Sequence, residues 1–219
     1  MSFKGAVFDA DGTLIDSMGM WRSLGRRYLH SLGIETEQRL DSVLYAMSFE
    51  QGCEYLRKHY LKKNSADDIR AGIFTMIGDF YRYEVKLKPS ITGYLEHLRQ
   101  RNIPMVIATV GDRELLTAAL ERNNIAEYFS AIFTGGELNT TKHEPEIYFA
   151  CAEYLGLEPE NIAVFEDALY AIRTARKAGF VVYGVRDDSN LYDTEDIKAE
   201  ADYYIEEWKN EDSFDGCRQ

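Results

Sequence analysis

Cysteine is scarce. The three residues, Cys53, Cys151 and Cys217, are widely spaced and form no C-x-x-C pair. That excludes a disulfide framework and a cysteine zinc site, and it suits a reducing compartment, so a cytoplasmic location is expected. No apolar run approaches the ~18 residues that cross a bilayer. Asp9 and Asp11 arrive before any signal-peptide pattern could develop. Basic charge is in deficit, with 25 Lys and Arg against 37 Asp and Glu, a net charge of −12. This argues against nucleic acid or an anionic membrane as the main partner. The deficit is uneven, because residues 186–219 hold twelve acids and only four bases. A solvated acidic edge accounts for it. Internal repeats and low-complexity runs are also lacking.

What is present suits an ordinary globular protein. The 219 residues are 45% hydrophobic, enough for one sizeable core or a core carrying an insert. Short apolar runs read as buried strands at 5–8, 104–108, 131–133, 161–165 and 180–183. Tyr203-Tyr-Ile205 is expected to add a last strand, followed by a short helix. Helix-period patterns lie between the runs: Ile91, Tyr94, Leu95 and Leu98, for example, or Ile172, Ala175 and Ala178. Such alternation predicts an α/β fold, a parallel sheet with helices on both faces and right-handed crossovers.

Residues 16–87 break the rhythm. They hold no convincing strand, but Trp21, Leu24 and Tyr28 share one helical face. Leu40, Val43, Leu44 and Met47 share another, and Ile73, Ile77 and Phe80 a third. We therefore expect a core of 1–15 and 88–219, with an all-helical unit of 16–87 inserted between the first and second strands.

The most informative stretch is Phe8-Asp9-Ala10-Asp11-Gly12-Thr13. Two acids at the carboxyl end of an apolar strand sit where open α/β sheets bind ligands. Strand alternation projects Asp9 and Asp11 to the same side, and Gly12 permits a tight turn. Adjacent carboxylates repel, so a cation is expected, and Mg²⁺ is the hard, oxygen-loving candidate. Further groups follow later strands. Thr109 precedes a helix, where a hydroxyl and backbone N–H groups can cradle phosphate, although an N-cap role is the commoner use. Lys142 can add positive charge, and Glu166 with Asp167 forms a second acidic pair. Each alone is weak, but together they are specific.

In these motifs the chain resembles the haloacid dehalogenase-like hydrolases, in the subgroup of β-phosphoglucomutases and small-molecule phosphatases with a helical cap. The resemblance implies a Rossmann-like parallel sheet core with an inserted all-α helical cap. It implies that Asp9 is the nucleophile, forming an aspartyl-phosphate, and that Asp11 is the general acid and base. Thr109 and Lys142 would hold the phosphoryl oxygens. Mg²⁺ would be bound by Asp9, the Asp11 carbonyl and Asp167, with Glu166 joining.

Dehalogenases of this family lack the second aspartate, so Asp11 favours phosphoryl transfer. β-Phosphoglucomutases carry a cap histidine where this chain has Trp21, and a cap arginine near Phe49; both replacements favour hydrolysis. Cap lysines Lys58, Lys62 and Lys63 match no Schiff-base role and read as solvated. His143, Glu146 and Ala171 stand where proline, aspartate and glycine are usual, and remove no catalytic group. The expectation is a Mg²⁺-dependent phosphatase of a small phosphorylated metabolite, a monomer or oligomer alike. A sugar-phosphate mutase is the rival, and a phosphate-binding regulatory protein the alternative of another class.

Overall fold

The computed structural model describes residues 3–37 and 39–209. Two compact units are present: one carries the chain up to Asp16 and from Val85 onward, the other is Ser17–Glu84.

Strand β1, Gly5–Phe8, is buried throughout. The second unit follows, with α1 (Met18–Arg22), α2 (Leu24–Ser31), α3 (Arg39–Tyr45), α4 (Phe49–His59) and α5 (Ala66–Asp79), the last continued by a π-helical turn, Phe80–Glu84. Ser48 and Ser65 start α4 and α5 with reciprocal capping boxes to Gln51 and Asp68. Tyr28, Leu40, Leu56, Ile73 and Ile77 are buried in this unit. Trp21 is not, although helical periodicity grouped it with Tyr28. It is 39% exposed, and its Nε1 donates to Tyr81 Oη at 3.1 Å. The helices leave a cavity of about 300 Å³ that Trp21, Leu24, Leu44, Met47 and Phe49 help to line. A helical face facing a gap has the same sequence period as one facing a core.

The first unit continues with α6 (Ile91–Gln100), β2 (Met105–Thr109), α7 (Arg113–Arg122), β3 (Ala131–Thr134), α8 (Gly135–Leu138), α9 (Glu146–Leu155), β4 (Ile162–Glu166), α10 (Leu169–Lys177), β5 (Val181–Val185), α11 (Thr194–Glu200) and β6 (Tyr203–Ile205). All strand pairs are parallel, in the order β3-β2-β1-β4-β5-β6. The order reverses between β1 and β4, the kind of point beyond whose carboxyl ends open α/β sheets bind ligands. The helix expected after β6 would involve residues 210–219, which lie outside the described residues.

Side-chain alternation sorts the two faces of the sheet. Val7, Val106 and Val164 pack with Ile147 and Tyr148 of α9 and Ile172 of α10. Phe8 and Phe165, one residue on, stack at 4.4 Å on the opposite face. There Trp208 closes the layer, 5.0 Å from Tyr94 and 5.8 Å from Phe165 between ring centroids. Trp208 is only 5% exposed. Trp208→Ala is therefore expected to cost about 3–5 kcal/mol, the range for emptying a buried aromatic site. Urea unfolding of the variant checks this, and a loss under 1 kcal/mol contradicts the packing role.

Candidate active site

The sheet itself aims the first carboxylate. The Asp9 N–H donates to Phe165 O at 2.9 Å, carrying the β1–β4 ladder one residue past Phe8. Alternation then places Asp9 with Val7, and Glu166 with Val164, on the face that α9 covers. Beyond Asp9 the chain turns tightly. Leu14 and Ile15 N–H groups both donate to Ala10 O, and Gly12 takes a φ of 91°, a left-handed conformation that suits glycine.

Asp9, Glu166 and Asp167 are all buried, and each offers an oxygen within 4.8 Å of the others. Lys142, 2% exposed, reaches in from the loop before α9. Its Nζ pairs with Asp9 Oδ1 and, at 2.7 Å, with Glu166 Oε2. Glu166 Oε1 accepts the Asp167 and Ala168 N–H groups at 3.2 and 3.3 Å, at the start of α10. Asp11 and Thr109 meet at Gly111: a Cβ there would lie 3.4 Å from Asp11 Oδ2 and 3.2 Å from Thr109 Oγ1. Thr109 is not the cap of α7. Asp112 caps that helix, its Oδ1 accepting the Leu115 N–H, while Thr109 Oγ1 accepts the Gly111 N–H at 2.9 Å. The Thr109 hydroxyl keeps its own proton to donate.

The electrostatics call for a cation. Burial, reinforced by the Glu166 and Asp11 charges and opposed by Lys142, pushes the Asp9 carboxyl up to about 8. Burial and the charges of Asp9, Glu166 and Asp187 raise Asp167 as well. Burial alone would lower Lys142, but Asp9 and Glu166 outweigh it and hold the ammonium well above its ordinary value. One lysine thus faces three buried acids. Asp9 Oδ2 is buried with no hydrogen-bond partner among the described residues. Hard oxygens, excess negative charge and an orphaned carboxylate oxygen fit a divalent cation such as Mg²⁺.

Other residues singled out in the sequence lie apart from this cluster. His143 is exposed and stacks on Tyr170, with centroids 4.3 Å apart. Glu146 opens α9, and Ala171 is buried in α10. Lys58, Lys62 and Lys63 are exposed in the helical unit.

Two neighbours of the carboxylates escaped the sequence reading. Tyr148 Oη donates to Glu166 Oε2 across 3.4 Å, and burial followed by the Glu166 charge keeps the phenol protonated. Asn190 Nδ2 donates to Asp167 Oδ2 at 2.7 Å. The signal for Tyr148 was its place beside Ile147 on the apolar stripe of α9. The signal for Asn190 was missing, since Asp187-Asp188-Ser189-Asn190 reads as a surface turn.

Known proteins resemble this chain over most of its length. The model of the haloacid dehalogenase-like hydrolase family matches residues 3–179. A phosphorylated carbohydrates phosphatase of Thermotoga maritima is 25% identical over 183 residues, 83% of this chain and 85% of the relative. Hexitol phosphatase A of Escherichia coli is 31% identical over 194 residues, 84% of each chain. A crystal structure from Thermotoga maritima, provisionally assigned as a β-phosphoglucomutase, superimposes with a TM-score of 0.80 at 24% identity. It covers 93% of this chain and 94% of its own. At that identity the likeness concerns the fold.

Proposed function

The chain belongs to the haloacid dehalogenase-like hydrolases, and from that premise we propose that it is a Mg²⁺-dependent phosphatase of small phosphorylated carbohydrates, working through an aspartyl-phosphate. The observation that carries the reading is the buried group of Asp9, Glu166 and Asp167 around one lysine, at the reversal point of the sheet. The relatives named as phosphatases of phosphorylated carbohydrates and hexitols support the substrate class.

In this reading an Asp9 oxygen attacks phosphorus as the ester P–O bond breaks, and Asp11 gives its proton to the leaving alkoxide. Asp11, now a carboxylate, then takes a proton from water. The water oxygen attacks the phosphorus of the aspartyl-phosphate, and inorganic phosphate and free Asp9 result. Thr109 and Lys142 orient the phosphoryl oxygens and offset their charge. Asp9, Asp167, Glu166 and the Asp11 carbonyl are the groups that would hold the cation. When bound, it supplies positive charge that lets the phosphoryl group approach a carboxylate. The reading gives the helical unit the part of a cap that selects the leaving group and excludes water.

The test is phosphate release from a panel of sugar phosphates, sugar-alcohol phosphates and an aryl phosphate, with Mg²⁺ and with EDTA. We expect turnover that stops on chelation and returns when Mg²⁺ is restored. Release that is indifferent to EDTA contradicts the metal assignment. No release from any compound, with isomerisation of a hexose phosphate instead, shifts the assignment to the mutase.

A further inference from the structure

Asp167 is held from outside the motifs of the site. Asn190 Nδ2 donates both to Asp167 O at 3.1 Å and to Asp167 Oδ2 at 2.7 Å. The backbone acceptor ties the Asn190 amide to the Asp167 main chain, so the contact on Oδ2 is held from a fixed point. Asn190 is itself placed by Asp187, whose backbone oxygen accepts the Asn190 N–H at 3.0 Å. Asp187 is 6% exposed and fully engaged. Its Oδ1 accepts the Ser189 N–H at 2.7 Å, and its Oδ2 accepts Lys88 Nζ at 2.8 Å. Lys88 stands three residues past Val85, where the chain re-enters the α/β unit, and its own N–H donates to Leu14 O at 2.9 Å. An unbroken series of polar contacts therefore runs from the segment after the helical unit to a carboxylate of the buried cluster.

A turn held this way does more than close a loop. A carboxylate that accepts a neutral amide on one oxygen keeps its second oxygen for another partner. Groups one layer out from a metal set the orientation of its ligands, and their loss typically costs about 10–100-fold in metal affinity. Lys88 also offsets the charge of Asp187, which otherwise adds to the negative field on Asp167.

We propose that Asn190 is a positioning residue that orients Asp167 for a divalent cation, and that the Lys88–Asp187 ion pair holds the turn from which it acts. This rests on the reading of Asp9, Glu166 and Asp167 as a cation site. Mn²⁺ binding to the full chain, without substrate, is followed by electron paramagnetic resonance, with competition by Mg²⁺. Asn190→Ala and Asn190→Asp are expected to raise the Mn²⁺ Kd by about 10–100-fold, while Tyr192→Ala, fully exposed on the same turn, leaves it unchanged. Melting temperatures in EDTA accompany each variant, so that a general loss of folding is separated from a loss of affinity. Wild-type binding with an unchanged Kd in Asn190→Ala overturns the positioning role alone. No Mn²⁺ binding by the wild type overturns the cation site and the positioning role together.

Discussion

Asp9→Asn is expected to abolish phosphate release while leaving the protein folded. An amide oxygen cannot form the acyl phosphate, so turnover should fall by roughly a thousandfold or more, about 4 kcal/mol of barrier at about 1.4 kcal/mol per decade. Folding should survive because the substitution removes a buried acid from a crowded group. Asp9 is raised from 3.8 to about 8 in the folded chain, so between those values the folded protein holds a proton that the unfolded chain has released. In EDTA the wild type should therefore lose stability as pH rises from 4 to about 8, and asparagine, which does not titrate, escapes that loss. The melting temperature of Asp9→Asn relative to wild type should rise across that interval. A folded variant that keeps a tenth of the activity contradicts the role given to Asp9, and an unfolded one contradicts the destabilising burial of its carboxyl.

Lys142→Met should damage both stability and activity. Lys142 is the ammonium that the structure places against Asp9 and Glu166. Methionine nearly matches its volume, so the loss is one of charge. Removing one partner of a buried ion pair strands the other, at a cost of about 3–5 kcal/mol. The double variant Lys142→Met/Glu166→Gln removes a stranded acid and should recover part of that stability without recovering turnover. Urea unfolding in EDTA separates the outcomes. A single variant within 1 kcal/mol of wild type would mean that the acids are already protonated and Lys142 is not their counter-charge.

The strands were legible because a sheet covered on both faces demands continuous apolar runs. The runs at 5–8 and 161–165 lie within a residue of β1 and β4, and 203–205 is β6. The acids beyond them were legible for a related reason: a charged pair directly after a buried run has no packing explanation. Trp21 misled because helical period reports a face and not what lies against it. Asn190 and Trp208 carried no local signal at all. Asn190 meets Asp167 from 23 residues away, and Lys88 meets Asp187 from 99.

Local chemistry thus determined the α/β pattern of this chain, the helical insertion and the acids that end its strands. These depend on period, on burial and on residue type, which neighbours in sequence already express. Only the tertiary structure decided which lysine stands between which carboxylates, that Asp112 and not Thr109 caps α7, and that a turn after β5 holds Asp167. Those outcomes depend on strand order: β1 and β4 lie side by side although more than 150 residues separate them, and no local pattern encodes that adjacency.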